Sequence, residues 1–469
     1  MMRLLASGVL ILLAGAALTG AQERGRMPEV RLMTLDPGHF HAALIQKEMY
    51  PGVSPRVHVY APAGWDLDEH VKRVNAYNQR TDQPTAWQTE LHTSADFLQR
   101  MLRERPGNAV ILSGRNRPKI DRLAQSVGAG LHVLADKPWI LTSADLPKLE
   151  AVLAEADRTG VVAYDVMTER FEIITILQRA LVNDTAVFGE IVKGTAGDPG
   201  VYMESVHHLM KVVSGAPNIR PAWFFDVKEQ GEGANDIGTH LVDLVQWTLF
   251  PDRPIDYRAD VRVIDAYRWP TRIPESEFQR VTGGRRFDAA LDEFVKDGTL
   301  DYFANTLVSY ALRGVHTTLN VIWDWEAPPG GADTHFAYYR GTRSRVEVRQ
   351  TAGAKYLTEL FVVPANAAVK AEVLAATRQK IAALQRTYPG IGVEERGVDI
   401  HVTVPTALRL GHEAHFAQVA ANFLRYVRDR RTLPAWERPN MAAKYFVTTT
   451  GTELSRKAPV RVAPRLAPR

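Results

Sequence analysis

The sequence predicts an α/β protein in which a doubly wound parallel sheet is followed by an α+β domain with a large, mainly antiparallel sheet. Up to residue 164, short apolar runs alternate with helical patterns, which is typical of a parallel sheet. Beyond residue 165, strand patterns alternate polar and apolar positions, as in antiparallel sheets with one solvated face. The length of 469 residues also exceeds one ordinary core and indicates two or three domains.

The first domain, residues 28–164, can be followed element by element. Because apolar runs of strand length alternate with amphipathic stretches, the strands run parallel and the helices cover both faces of the sheet. Thr93 and Ser94 supply the cap of one helix. We expect strands at 30–35, 56–60, 109–112, 130–135 and 161–164, and helices at 42–50, 68–77, 95–103, 119–127 and 143–158.

The second domain, residues 165–450, has a different character. Its strands are longer and alternate in polarity. Residues 451–469 carry spaced prolines and arginines and predict a flexible basic tail. We expect helices at 171–181, 367–388 and 411–428, and strands at 306–312, 317–323 and 345–349.

Residues 1–21 are typical of a signal peptide. Arg3 supplies a positive charge, residues 4–18 are an apolar run too short for a comfortable membrane span, and residues 19–21 offer a cleavage site. The sequence contains no cysteine, so it has no disulfide framework. We therefore expect a periplasmic or secreted protein, exported by the general secretory route and without a membrane span after cleavage.

The composition is that of a large globular enzyme. Hydrophobic residues make up 45% of the chain and charged residues 23%, both ordinary values. The net charge of +4 is spread over the whole length, so no nucleic-acid partner is indicated.

A glycine-opened helix at 231–243 carries the first chemical signal. Asp236, His240 and Asp243 stand at i, i+4 and i+7 and share one helix face. A carboxylate stacked on a histidine can fix its tautomer and raise its basicity, as proton transfer requires. A purely structural interpretation stays open. In it, Asp236 lies near the helix cap, and His240 is a core residue whose hydrogen bonds are made within the protein.

A second signal lies about a hundred residues upstream, where a buried strand ends in Asp136-Lys137-Pro138. Together with the Asp-x-Gly-x-His-x-x-Asp helix, this tripeptide resembles the Gfo/Idh/MocA oxidoreductase family, which has Glu-Lys-Pro at that place. Residues 188–192 and 411–416 resemble two further family segments. The resemblance spans roughly residues 30 to 440 and implies a Rossmann-like N-terminal domain.

The resemblance also implies roles for individual residues. Lys137 and His240, with His240 oriented by Asp236, are the expected catalytic groups, and NAD or NADP is the expected cofactor. The second-domain sheet is expected to carry the substrate pocket and a homo-oligomer contact. The implied cofactor-binding residues are Gly38, His39, Phe40, Ser113, Asp136, Lys137 and Pro138, and the implied substrate residues are His207, His208, Lys211 and Asp243.

The turn after the first strand departs from the family pattern. A dinucleotide fingerprint needs three glycines, and only the central one, Gly38, remains in Asp36-Pro37-Gly38-His39-Phe40-His41. Asp36 would repel a pyrophosphate, although protonated His39 and His41 could offset its charge. Alternatively, Asp36 caps the helix and Pro37 lies in its first turn, which needs no ligand. The second strand also lacks the acidic residue that binds NAD ribose in this fold, since no acid follows it before Asp66.

No metal site is predicted. His207 or His208 could join His240 and Asp243 as ligands, but no tight spacing supports that set. His412 and His415 stand at i and i+3, whereas the two histidines of the zincin helix stand at i and i+4. We therefore interpret them as a helix start.

The sequence thus predicts an exported oxidoreductase that acts on a carbohydrate or polyol with hydride transfer to NAD(P). One alternative is a glycoside hydrolase or lyase of the same fold that uses bound NAD or no cofactor. Another is a non-catalytic secreted sugar-binding protein.

Overall fold

A six-stranded parallel sheet opens the computed structural model, which describes residues 29–213 and 216–462. Its strands lie side by side in the order β3-β2-β1-β4-β5-β6. The order reverses between β1 and β4, so a crevice opens there at the carboxyl ends of the strands. The six strands are β1 (Leu32–Leu35), β2 (Arg56–Ala61), β3 (Gln88–Thr93), β4 (Ala109–Leu112), β5 (His132–Ala135) and β6 (Ala163–Asp165).

Five helices connect these strands, as the sequence predicts. They are α1 (His41–Ile45), α2 (Trp65–Gln79), α3 (Phe97–Glu104), α4 (Lys119–Gly128) and α5 (Leu146–Thr159). Helix α1 stops five residues earlier than expected, and distant side chains bind the carbonyls of the two residues that follow it. The Trp87 indole donates to the carbonyl of Gln46 (2.7 Å), and Arg80 donates to that of Lys47 (2.8 Å).

The edge strand β3 was not predicted. Only His92 among its six residues is buried, so the segment carries no apolar run. An edge strand with two solvated faces pairs through its backbone and leaves little trace in the hydrophobic pattern.

The second sheet is large, mixed and mainly antiparallel, which confirms the predicted fold class. Its main path runs β10-β12-β13-β7-β14-β15-β16-β18-β17, and only the β13–β7 pair is parallel. Its strands, with the small β8–β9 pair beside them, are β7 (Val201–Met210), β8 (Val212–Val213), β9 (Ala216–Pro217), β10 (Val261–Pro274), β11 (Val295–Lys296), β12 (Thr299–Leu312), β13 (Val315–Glu326), β14 (Thr334–Arg340), β15 (Ser344–Gln350), β16 (Thr358–Pro364), β17 (Gly392–Arg396) and β18 (Asp399–Thr403).

The remaining helices pack on and around this sheet. They are α6 (Ile173–Val182), α7 (Thr185–Phe188), α8 (Ile237–Leu249), α9 (Tyr257–Asp260), α10 (Glu275–Thr282), α11 (Lys370–Leu384), α12 (His412–Arg428) and α13 (Glu437–Lys457). Helix α8 is buried along most of its length between the sheet, α6 and α13. Its N-terminus is thereby fixed at the crevice of the first sheet.

The last two helices return to the first sheet and cover its two faces. Phe416 and Phe423 of α12 join the apolar cluster on the face that contains Leu32. Met441 and Tyr445 of α13 join the cluster on the opposite face. The core of the N-terminal sheet is therefore completed by residues that follow the second sheet in the chain.

The C-terminal segment differs from the flexible tail predicted from residue 451, because α13 continues to Lys457. The Thr452 hydroxyl donates to Asn235 (2.8 Å), and Glu453 accepts bonds from the amide and hydroxyl of Ser143 (2.7 Å each). Gly451 lies where a Cβ would come within 2.9 Å of Val308. These contacts order the last helical turn.

The predicted signal peptide, residues 1–21, lies outside the described residues. Among residues 29–213 and 216–462, no helix combines the length and the apolar character that crossing a membrane requires.

Replacement of His70 on α2 by leucine is expected to make the protein less sensitive to acid. Burial lowers the pKa of His70 to about 4, and neither ring nitrogen has a hydrogen-bond partner. Since the unfolded chain binds this proton near pH 6.5 and the folded chain near 4, stability is present at pH 8 and lost as the pH falls through this window. His70→Leu should reduce the loss of unfolding free energy between pH 8 and pH 5 by about 2 kcal/mol. Urea unfolding at the two pH values measures it, and an equal loss in both proteins contradicts the burial argument.

Candidate active site

The end of β5 meets the start of α8 through an ion pair. Lys137, two residues beyond the strand, donates from Nζ to Oδ1 of Asp236, and both side chains are buried. Burial alone would lower the pKa of Lys137, but the carboxylates of Asp236 and Asp136 raise it above its usual value. Burial would likewise raise the pKa of Asp236, yet the Lys137 ammonium holds it below its usual value. The pair is therefore charged at neutral pH.

The glycine-rich turn before α8 fixes the position of Asp236. A Cβ at Gly233 would lie 2.1 Å from the carbonyl oxygen of Ala304, so only glycine allows this approach to β12. Glu232 is buried and pairs with Arg268 of β10 and Arg456 of α13 (2.9 Å to Arg456). The motif thus anchors the start of α8 to both the second sheet and the last helix.

His240 lies one turn into α8 and faces the same space as Lys137. Burial, and after it the charge of Lys137, lowers its pKa to about 4. Its Nδ1 has no hydrogen-bond partner, and no hydrogen bond joins His240 to Asp236 among the described residues. The predicted orientation of His240 by Asp236 is therefore not observed, because Lys137 takes the Asp236 carboxylate.

Asp243 does not reach the cavity, contrary to the predicted substrate contact. Arg170 binds its two oxygens at 2.6 Å each, and Lys444 of α13 lies 3.5 Å away. Asp243 shares the helix face of Asp236, but seven residues at 1.5 Å each place it about 10 Å deeper along α8. Its carboxylate therefore holds α8 against α13.

A cavity of about 500 Å³ lies between the two sheets, within the usual range for small-molecule sites. The first sheet contributes His39, Phe40 and Lys137, as the sequence predicts for these three. Gly38, Ser113, Asp136 and Pro138 do not line it. Other residues on its wall are His41, Glu169, Glu172, His207, Lys211, Arg220, Trp323, Asp333, His335, His412 and His415.

Asp333 organises the wall formed by the second sheet. Its carboxylate lies 3.2 Å from Nδ1 of His207 and 3.1 Å from Nδ1 of His208, and it accepts a bond from Lys211. Burial would raise the pKa of Asp333, but these partners hold it well below its usual range. His207 and Lys211 line the cavity as predicted, whereas His208 supports Asp333 from behind. Asp333 was missed because it lies in a glycine-rich loop without a motif.

Helix α12 closes another side of the cavity. It begins at His412, as predicted, but His412 and His415 also face the cavity. They pair with Glu169 (3.5 Å) and Glu172 (3.8 Å), which the sequence analysis did not single out. Glu169 lies in a short 3-10 turn, so no periodic pattern marks it.

The turn after β1 is built around Asp36. Asp36 is buried with φ = 46° and pairs with Arg122 of α4. It does not cap α1, which begins only at His41, so the capping interpretation is wrong. The amides of Gly38 and His39 donate to the carbonyls of Asp36 (2.8 Å) and Ser113 (3.1 Å). These two amides are thus already used within the protein.

The crevice continues from the cavity past Gly38 to the end of β2. A Cβ at Gly38 would lie 3.2 Å from the Trp223 ring, so the passage is narrow there, about 40 Å³. Beyond it the crevice widens to about 270 Å³ between Arg115, Arg285 and Asp66. Arg115 stacks on Trp223 (5.4 Å) and pairs with Asp66 (3.2 Å).

Comparison with known proteins identifies the family. The family described as "Putative oxidoreductase C terminal domain" matches residues 177–456, more than half of the chain. The chain belongs to this oxidoreductase family. A crystal structure described as a putative oxidoreductase from Parabacteroides merdae ATCC 43184 has 43% sequence identity over 92% of this chain and 99% of its own, with a TM-score of 0.90. The resemblance to Gfo/Idh/MocA oxidoreductases is confirmed.

More distant solved structures share the fold. Levoglucosan dehydrogenase, in complex with NADH and levoglucosan, has 13% identity and a TM-score of 0.57 over 92% of this chain and 97% of its own. A 3-ketoreductase from Actinomadura kijaniata, in complex with NADP and TDP-benzene, has 14% identity and a TM-score of 0.54 over 89% and 96%. No curated protein sequence matches the chain.

Removal of the Asp243 carboxylate is expected to affect stability rather than ligand binding. Asp243→Ala leaves buried Arg170 and Lys444 without this partner, and the free energy of unfolding should fall by about 3 kcal/mol. Substrate KM should stay close to the wild-type value. In the exposed control Asp82→Ala, both the free energy of unfolding and KM should stay close to the wild-type values. Unfolding and steady-state kinetics measure the two effects. A raised KM at unchanged stability would contradict this prediction and show that Asp243 contacts the substrate.

Proposed function

We propose that the protein is an exported oxidoreductase that oxidises or reduces a carbon–oxygen group of a carbohydrate or polyol with NAD(P) as its redox partner. The observation that carries this proposal is the placement of a charged lysine and a neutral histidine on one cavity. Lys137 and His240 face it together at the carboxyl end of the parallel sheet. Many polar side chains around them, among them Lys211 and His335, suit a ligand rich in hydroxyl groups.

His240 is the proposed base. Since its pKa is lowered to about 4, the ring is neutral at pH 7 and can accept a proton from a substrate hydroxyl. The Lys137 ammonium would stabilise the negative charge that develops on the same oxygen. Asp236 keeps Lys137 charged and in place, which is a positioning role.

The crevice residues fit NAD(P) when their charges are considered. Asp36 pairs with Arg122, so its carboxylate points to α4 and its charge is neutralised. The repulsion of a pyrophosphate that the sequence predicts is thereby removed. Because the Gly38 and His39 amides are used internally, the side chains Arg115 and Arg285 would hold the phosphates. When bound, NAD(P) supplies the hydride acceptor or donor. Two distant structures of the same fold are NADH and NADP complexes, which supports NAD(P) as the cofactor.

A cofactor-independent lyase is the second candidate. The packing of Trp223 on Gly38 and the two occupied amides favour it, because they narrow the passage that a dinucleotide would cross. His240 would then abstract a proton from the carbon next to a keto group, Lys137 would stabilise the enolate oxygen that forms, and the glycosidic oxygen on the neighbouring carbon would leave with a proton. Turnover of a keto-sugar by protein free of nicotinamide distinguishes this candidate from the oxidoreductase.

Export and assembly are further parts of the proposal. Residues 1–21 carry the features of a signal peptide, so the mature protein is proposed to be periplasmic or secreted. Homo-oligomer formation through the second sheet is proposed from the family resemblance. Size-exclusion chromatography with light scattering of the mature protein tests the second point.

Replacement of the base should remove turnover while substrate binding persists. His240→Gln is expected to lower kcat by roughly 10²–10⁴-fold, the usual scale for a general acid–base group. In the wild type, the acidic limb of the pH profile of kcat/KM should fall near pH 4, because His240 must lose its proton to act. His58→Gln, on β2 and away from the cavity, is the control and should keep full activity. Near-normal kcat in His240→Gln would refute the assignment.

Loss of Arg115 should weaken cofactor binding. If this guanidinium contacts a phosphate of NAD(P), Arg115→Ala removes a charge-assisted hydrogen bond and should raise Kd by roughly 10-fold. Arg117→Ala is the matched control, because Arg117 is exposed and pairs with Glu229 away from the crevice. Fluorescence titration with NADH and NADPH measures Kd. Equal affinities of the Arg115→Ala protein and the wild type would place the phosphates elsewhere.

A further inference from the structure

Two imidazoles and one carboxylate converge beside the cavity, at the turn where a dinucleotide fold normally has glycines. Nδ1 of His41 lies 2.9 Å from Oδ2 of Asp136, and Nδ1 of His39 lies 3.2 Å from the same oxygen. One ligand atom from each of the three residues lies within 4.8 Å of the other two, close enough to bind a single metal ion. His39 and His41 come from the turn after β1, and Asp136 follows β5.

Hydrogen bonding alone leaves this cluster incompletely satisfied. Nδ1 of His39 is buried and forms no hydrogen bond, although it lies close to Asp136. Oδ1 of Asp136 is also buried without a partner, and the residue is only 4% exposed. Since buried polar atoms are normally paired, these two unpaired atoms in neighbouring residues indicate a further ligand.

We propose that His39, His41 and Asp136 form a binding site for one divalent transition-metal ion. Imidazole and carboxylate are suitable ligands for Zn²⁺, Mn²⁺ and Fe²⁺. Three protein ligands leave at least one coordination position open, as in catalytic zinc sites. His39 and His41 line the cavity, so the open position faces the space shared with Lys137 and His240.

The surroundings of the three side chains would hold them in a ligating geometry. The Ser113 hydroxyl donates to Oδ2 of Asp136 (3.1 Å), and buried Lys119 donates to its backbone carbonyl (2.8 Å). The Phe416 ring packs against His41 with a centroid distance of 4.5 Å. Such outer contacts orient metal ligands and tune the affinity of the site.

His41 stands where a pyrophosphate-binding turn has its third glycine, and the metal site gives both histidines a function in this turn.

A second group, His58, Glu90 and His92, provides an internal comparison. It lies on the edge strand β3 and its neighbour β2, where Nδ1 of His58 and Nε2 of His92 are 2.9 Å apart and hydrogen-bonded to each other. Glu90 is exposed and none of the three residues lines a cavity described above. His92→Gln is therefore a matched control for histidine replacement in the first group.

Metal binding can be measured without reference to turnover or to NAD(P). Untagged, chelator-treated full-length mature protein would be titrated with ZnCl₂ and with MnCl₂ by calorimetry, and bound metal counted by mass spectrometry. We expect one equivalent in the wild type and in His92→Gln. His39→Gln, His41→Gln and Asp136→Asn should each weaken binding by on the order of 100-fold, at least the loss seen on changing outer-shell groups.

Circular dichroism and thermal unfolding would show that each variant is folded, and partly exposed His39 gives the mildest replacement. Absence of stoichiometric binding of either metal to the wild type would overturn the proposal. So would unchanged affinity in folded His39→Gln, or an equal loss in His92→Gln. Metal binding without NAD(P) binding, or the reverse, separates this site from the proposed redox function.

Discussion

The buried Lys137–Asp236 ion pair ties the first sheet to helix α8 at the candidate active site. It joins the carboxyl end of β5 to the first residue before α8, and both partners lose their water. Because an unpaired buried charge costs several kcal/mol, each residue requires the other, and the crevice between the sheets keeps one geometry. The places of Lys137 and Asp236 in the cavity wall follow from this junction, and α8 is held in addition by the second sheet, α6 and α13. The glycine turn that approaches Ala304 makes the junction sterically feasible.

The fold was largely predictable from the sequence, because buried parallel strands are apolar runs and their helices are amphipathic. Lys137 and Asp236 were also found, since both lie in recognisable local motifs. Asp333 and Glu169 were missed, because each lies in a loop or short turn that has no motif. Their role in the site depends on histidines that only folding brings close to them. Strand β3 left no apolar run, and the last turns of α13 are held by distant residues such as Asn235. A local sequence pattern cannot predict partners that lie far away in the chain.

The turn at 36–41 illustrates the same limit for charges. As a sequence, Asp36-Pro37 is equally compatible with a helix cap and with a residue facing a phosphate. The outcome depends on Arg122, which lies 86 residues later and takes the carboxylate. His39 and His41 likewise acquire their common direction from Asp136 at the end of another strand. Parallel topology, which brings the ends of β1 and β5 to one edge, therefore decides the chemistry of this turn.

The return of α12 and α13 to the first sheet has a consequence for how the chain folds. Both faces of that sheet stay partly uncovered until residues 416–445 are available. The N-terminal half therefore cannot complete its core during synthesis, although its strands are made first. Contacts of this long range slow folding and postpone it to the finished polypeptide. A chain with this delay stays without a complete core for longer after its synthesis begins.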